Sequence, residues 1–299
     1  MASRDSGTDR RSFLKAAGGA AAAAGFAGCI GGNSGDGGDG GDGGGGPLTY
    51  SRGTDSSTLD PQDTTSGEDA KVTNQIFDRL VHFKPGGTSL TAGLAKSYEL
   101  DGKEAKLTLR EGVKFHSGEE FTADDFIATY RRFLDEDYEH YVNKVYDSGT
   151  HGSIYGPYLL GTVKDVSKDG KYGVSISLSQ KYTPFLANLA VFALSVLSKK
   201  QIENNGAAVK NDPVGTGPFE FDNWNKGNTT IRLKANDDYW GDGPHVDEVV
   251  FEAISQNSTR ASSLLSGETH IVDGLSVQPA NQIDKGDGAK LVKTEGMNI

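Results

Sequence analysis

The chain has 299 residues, a formal net charge of −11 and a single cysteine, Cys29. One cysteine excludes any intrachain disulfide and any CxxC metal or redox site, and the negative balance argues against nucleic-acid binding, which works by neutralising phosphates with Lys and Arg. Plentiful Asp, Glu and Gly with only 2 Met fit a halophilic style, in which dense carboxylates hold water and counterions.

The first segment reads as an address. Asp9-Arg10-Arg11-Ser12-Phe13-Leu14-Lys15 sets two adjacent arginines before an apolar pair, and a weakly hydrophobic run from Ala16 to Phe26 follows. That run falls short of the roughly 20 apolar residues a membrane span needs, so residues 1–28 are expected to be an export signal. Arg10 and Arg11 resemble the twin-arginine type, which exports proteins already folded. Phe26-Ala27-Gly28-Cys29 resembles a lipobox, in which the cysteine is lipidated and becomes the new N-terminus. Cleavage there removes Arg4, Arg10, Arg11 and Lys15 but only Asp5 and Asp9, leaving the mature chain more negative still. The expected location is the extracytoplasmic face of the cell membrane, with a lipid anchor through Cys29.

Residues 29–46 form the expected tether. Gly32 to Gly46 is almost all glycine, broken by Asn33, Ser34, Asp36, Asp39 and Asp42, with no side chains to bury against the entropy of ordering. Gly-rich chain statistics give it a root-mean-square span of roughly 20–23 Å. Calcium-binding glycine-aspartate repeats need an apolar residue in every repeat, and this stretch has none.

From Pro47 onward the pattern is mixed α/β. Ser66-Gly67-Glu68-Asp69 has the form of a capping box, and Val72, Ile76 and Leu80 follow at helical spacing. Lys106 to Arg110 alternates with period two, as a half-buried strand does. Thr122-Ala123-Asp124-Asp125 caps a second helix whose inner face is Phe126, Tyr130, Phe133 and Leu134. Val174, Ile176 and Leu178 after the Lys168-Asp169-Gly170 turn predict the return strand of a hairpin. Thr183-Pro184 predicts a helix start with proline at the first helical position. Ile231 and Leu233 alternate, Val249 to Ile254 is a more apolar strand, and Asn257 or Ser258 should cap a helix closed by Gly267.

A set of these segments, in this order, resembles the extracellular solute-binding proteins of peptide and nickel ABC importers, family 5. The pieces are Leu59-Asp60-Pro61, Ile76-Phe77-Asp78-Arg79-Leu80-Val81, Leu90-Thr91-Ala92-Gly93-Leu94-Ala95 and Ser97-Tyr98-Glu99. Leu109-Arg110-Glu111-Gly112-Val113-Lys114-Phe115-His116-Ser117-Gly118 runs into Phe121-Thr122-Ala123-Asp124-Asp125. Pro213-Val214-Gly215-Thr216-Gly217-Pro218-Phe219, Asn236-Asp237-Asp238-Tyr239-Trp240 and Leu264-Leu265-Ser266-Gly267-Glu268, ending at Asp273, complete it. The resemblance implies an α/β, two-lobed, periplasmic-binding-protein-like (type II) fold. Residues 47–273 would be lobe I, largely present. Residues 274–299 would open a lobe II that is mostly missing, since the family's chains continue well beyond Met297-Asn298-Ile299.

The implied function is that of an extracellular receptor that closes around a solute and delivers it to membrane permease subunits, with no catalysis and no cofactor. Family members mostly take di- or oligopeptides, and others take nickel complexes, sugars or other small solutes; peptide is the expected ligand. The loop after the first strand, Thr54, Asp55 and Ser56, is the expected cleft-facing segment. His116 reads as a turn hydrogen-bonder, Gly215-Thr216-Gly217-Pro218 as a tight turn without the lysine of a P-loop, and Trp240 as packing. Two other classes compete. An exported hydrolase has six histidines to draw on, among them His82, His140, His151, His245 and His270, but no HExxH, no GxSxG and no metal-ligand pair. A surface lipoprotein without transport is the third, should the truncation be natural; a lone lobe should bind solute poorly and expose apolar surface.

Overall fold

The computed structural model describes residues 46–146, 155–286 and 288–292; Arg10, Arg11, Cys29, the tether up to residue 45 and Met297 to Ile299 lie outside the described residues. The first strand, β1 (Leu48–Arg52), is followed by a long loop and by α1 (Gly67–Ile76). Ser66 caps α1, its hydroxyl accepting from the Glu68 amide at 3.2 Å. The reciprocal half of a capping box is absent. Asp69 is buried and turns back to the loop, where its carboxylate accepts from the Ser57 amide (2.9 Å), the Ser57 hydroxyl (2.9 Å) and the Thr64 hydroxyl (2.7 Å). The helix stops at Ile76, so Leu80 packs in the core from beyond its end rather than from its apolar face.

Two short strands, β2 (Val81–Phe83) and β3 (Leu90–Ala92), pair antiparallel. An antiparallel four-stranded sheet follows, built from β4 (Ala95–Asp101), β5 (Glu104–Leu109), β6 (Val163–Asp169) and β7 (Gly173–Leu178) in the order β4-β5-β7-β6. Its alternation is the one read from sequence: Ala105, Leu107 and Leu109 point inward beside Val174, Ile176 and Leu178. The helix α2 (Ala123–Leu134) joins that core through Phe126 and Phe133, with Tyr130 and Leu134 half-buried at its margin. Asp125 returns its carboxylate to the Thr122 amide at 2.9 Å, closing the first turn. Full burial of each such aromatic is worth roughly 1.5–3 kcal/mol, so this face alone fixes the helix on the sheet.

Short helices α3 (Val142–Tyr146), α4 (Tyr155–Leu160), α5 (Phe185–Asn188) and α6 (Lys199–Asn205) line the remaining edges. Pro184 is the cap of the one-turn α5, not its first helical residue. The second sheet holds β8 (Phe219–Asn225), β9 (Thr230–Ala235), β10 (Glu248–Ala253) and β11 (Ile271–Val272) with β1, in the order β11-β1-β10-β9-β8. Between β10 and β11 lies α7 (Asn257–Ser266); α8 (Val277–Lys285) follows β11. Gln256, not Asn257 or Ser258, occupies the cap of α7, and Gly267 closes it at φ 79°, the left-handed conformation glycine adopts without strain. A second core, including Leu59, Val72, Ile76, Phe77, Leu233 and Phe251, packs α1 on this sheet.

Candidate functional site

β1 runs parallel to both β10 and β11, with Leu48 opposite Val249 and Tyr50 opposite Ile271. The carboxyl ends of all three strands therefore face the same way. In open α/β sheets solutes bind outside such ends, where rigid strands hold loops that are free to vary. Residues 53–66, 254–256 and 273–276 form these loops.

Thr54, Asp55 and Ser56 fall in the first of them. Thr54 is exposed, Asp55 half-buried and Ser56 buried. Arg52, fully buried at the end of β1, holds the loop from beneath: Nη1 donates to Ser56 Oγ (2.9 Å) and to the Glu68 carbonyl (2.6 Å), and Nη2 reaches Asp55 Oδ1 at 3.4 Å. Asp55 also accepts from the Ser56 amide (2.8 Å) and from Trp224 Nε1 (3.1 Å). The carboxylate is thus occupied in shaping the loop, and of the three residues Thr54 is the one whose side chain faces solvent. Burial lowers the Arg52 pKa from its ordinary value, against the opposing pull of Asp55 and Glu68. Below the third loop Asp273 accepts from the Tyr50 hydroxyl at 2.7 Å and pairs with Lys71 at 2.6 Å, and Lys71 also pairs with Glu68 at 2.7 Å. Burial and Asp273 push the Tyr50 phenol well up.

Arg52, Lys71 and Trp224 were not among the residues expected from sequence. Arg52 had a readable signal: period two puts Leu48, Tyr50 and Arg52 on one face of β1, an odd place for a charge without a task. Trp224 carried none, since its partner Asp55 lies 169 residues away.

A second polar cluster joins the two cores. Asp78, 3% exposed, accepts from Trp240 Nε1 (2.8 Å) and Thr216 Oγ1 (3.1 Å), with Tyr239 at 3.5 Å and His82 at 3.7 Å. Burial pushes the Asp78 pKa up to about 6, and burial with the Arg79 charge pushes His82 down to about 4. Near neutral pH Asp78 is charged and His82 is neutral, so their contact is not an ion pair there. His116 holds the neighbouring turn: Nδ1 accepts from the Gly215 amide (3.2 Å) and Nε2 lies 3.0 Å from the Gly217 carbonyl, so the neutral Nε2–H tautomer satisfies both bonds. Trp240 packs with the Arg110 guanidinium 4.6 Å from its ring centroid. Among the described residues no group of three or more His, Cys, Asp or Glu is placed to hold a metal ion, and no helix is long and apolar enough to cross a membrane.

Residues 89–299 match the family described as bacterial extracellular solute-binding proteins, family 5 Middle. The chain belongs to that family. It is 34% identical over 263 residues to Di/tripeptide-binding protein 1 of Pseudomonas aeruginosa, covering 81% of this chain and 47% of that protein. It is 30% identical over 266 residues to the dipeptide-binding protein of Escherichia coli, covering 84% of this chain and 49% of that one. Among solved structures, the ABC transporter-associated periplasmic binding protein DppA from Helicobacter pylori, in complex with peptide STSA, superposes with a TM-score of 0.73 at 34% identity, covering 81% of this chain and 49% of the other. A dipeptide-binding protein from Pseudoalteromonas in complex with Met-Leu gives a TM-score of 0.70 at 27% identity, covering 81% and 50%. The α/β periplasmic-binding-protein fold expected from sequence is the fold observed, and this family-5 chain spans about half the length of the curated relatives it matches.

Proposed function

We propose that this family-5 protein is the extracytoplasmic solute receptor of an ABC importer, that its solute is a di- or oligopeptide, and that it hands the peptide unchanged to permease subunits. The supporting observation is the convergence of three parallel strand ends on one loop surface, in a chain 34% identical over 263 residues to a di/tripeptide-binding protein. Residues 47–273 serve as lobe I and residues 274–299 open lobe II. Thr54, Asp55 and Ser56 line the peptide side: Thr54 and the adjoining backbone meet the ligand, while Asp55 and Ser56, braced on Arg52, set the loop's shape. A peptide backbone offers amides and carbonyls at fixed intervals, which such a preformed loop edge suits. Arg10 and Arg11 direct export and Cys29 carries the lipid that holds the receptor on the membrane.

The test uses protein purified from its native membrane and a defined dipeptide mixture, with bound species identified by mass spectrometry after release. Retention of intact dipeptides supports the reading. Hydrolysed products would assign the chain to the hydrolases, and retention of nothing from a folded sample would make it an interaction module.

A further inference from the structure

Arg260, on the first turn of α7, is 2% exposed, yet every acceptor around its guanidinium is neutral. Nη1 donates to the carbonyls of Ile254 and Ser255 (3.1 Å for the latter), and Nη2 donates to Asn257 Oδ1 (2.9 Å) and the Gly274 carbonyl (3.1 Å). Among the described residues it enters no ion pair. Gly53 of the first loop stands beside the same group without a hydrogen bond to it: a Cβ there would sit 3.6 Å from Nη1, and one on Gly274 3.9 Å from Nη2. Asn257 Oδ1 also accepts from the Ser276 amide at 3.2 Å, so the third loop is fastened twice.

One side chain thus bonds the loops that follow β10 and β11 and stands beside the loop that follows β1. No carboxylate among the described residues contacts it, although Asp55 and Asp273 stand in the same loops, and in a place removed from water a charge acts over longer range than at the surface. The amino end of the ten-residue α7, whose cap residue Gln256 supplies no side-chain bond, adds positive potential beside the same loops. A buried guanidinium without a carboxylate partner costs stability. An anionic group on the solute is what would offset that cost.

We infer that Arg260 is the positioning residue of the solute site: it fastens the loops after β10 and β11 to each other beside the loop after β1, and sets a positive charge beneath them that favours solutes with a carboxylate there. The loop-fastening role follows from the geometry alone, whereas the charge preference rests on the peptide-receptor reading, and each has its own measurement. Hydrogen exchange on the full chain compares wild type with Arg260→Lys, which keeps the charge but lacks the fork to reach all acceptors. Amides of residues 254–257 and 274–276 should lose protection together, by about tenfold, while β5 and β7 are unchanged. A change confined to α7 would overturn the proposal.

The second measurement compares affinity for alanyl-alanine with that for its C-terminal amide. Wild type should prefer the free carboxylate by about tenfold or more, Arg260→Lys should bind both more weakly with the preference kept, and Arg260→Met should reduce it to about threefold or less. A preference absent in wild type, or one that Arg260→Met leaves intact, sinks the charge role. If Arg260→Met does not fold, loss of the preference in Arg260→Lys sinks it equally. Should wild type bind neither compound, the peptide reading falls, and the exchange result alone decides whether Arg260 positions the loops.

Discussion

At the scale of single residues the pair Asp78 and His82 makes the sharpest prediction, because burial moves the two in opposite senses. Asp78 has a folded pKa of about 6, above its ordinary 3.8, so the folded protein keeps a proton that the unfolded chain releases. Its contribution is present at low pH and is lost as pH rises from about 4 to about 6. His82 has a folded pKa of about 4, below its ordinary 6.5, so its contribution is lost as pH falls through that window. The two slopes oppose each other and flatten the wild-type profile. Relative to wild type, Asp78→Asn should gain stability as pH rises from 4 to 6, and His82→Gln as pH falls from 6.5 to 4, each by on the order of 1–3 kcal/mol. Urea titrations at half-unit pH steps measure this, and parallel profiles for all three proteins would contradict it. That His116 is a turn hydrogen-bonder was legible from Lys114-Phe115-His116-Ser117-Gly118, because a polar residue in a turn has few other tasks, but its partner Gly215, 99 residues on, was not. The Asp78 cluster was not, since its partners Thr216 and Trp240 lie 138 and 162 residues on.

At the scale of elements, the turn at Gly215-Thr216-Gly217 fixes how the end of α1 meets the rest of the fold. A Cβ on Gly215 would lie 1.9 Å from the Ile76 carbonyl oxygen, and one on Gly217 would lie 2.5 Å from that of Gln75. Both obstacles are backbone, which cannot rotate aside. Gly215→Ala should therefore lower stability by at least about 2 kcal/mol, read as a drop in Tm. Gly102→Ala offers a control: there φ is 62° and nothing crowds the added carbon, so only the strain of a left-handed alanine remains and the loss should be smaller. Equal losses would remove the packing argument. The strands β5 and β7 and the helix α2 were readable because period and cap are local properties. The ends of α1 and α7 were misread where a side chain left its local job for a distant one: Asp69 braces the loop before its helix, and Asn257 serves Arg260 and Ser276. Parallel pairing of β1 with β10 and β11 had no local signature at all.

For the molecule as a whole, the proposed anchor and export route make a prediction independent of ligand. In cells of the source organism, Cys29→Ser should shift the protein from the membrane fraction to the medium without changing its fold. Arg10→Lys with Arg11→Lys should leave the uncleaved, folded chain in the cytoplasm, seen as a mass that still includes residues 1–28. Unchanged fractionation of either variant would remove the corresponding role. Export in the folded state, the route proposed from Arg10 and Arg11, would matter for this topology in particular. Ser51 on the first strand bonds Glu252, 201 residues later, and Tyr50 bonds Asp273, 223 residues later. During synthesis β1 is the first strand to leave the ribosome and waits, without either parallel neighbour, until β10 (Glu248–Ala253) and β11 (Ile271–Val272) have been made. Closing so long a loop slows folding and leaves a strand edge open to other chains in the meantime. A first strand that waits so long for its neighbours would gain from an export route that lets it pair before it meets a crowded membrane surface.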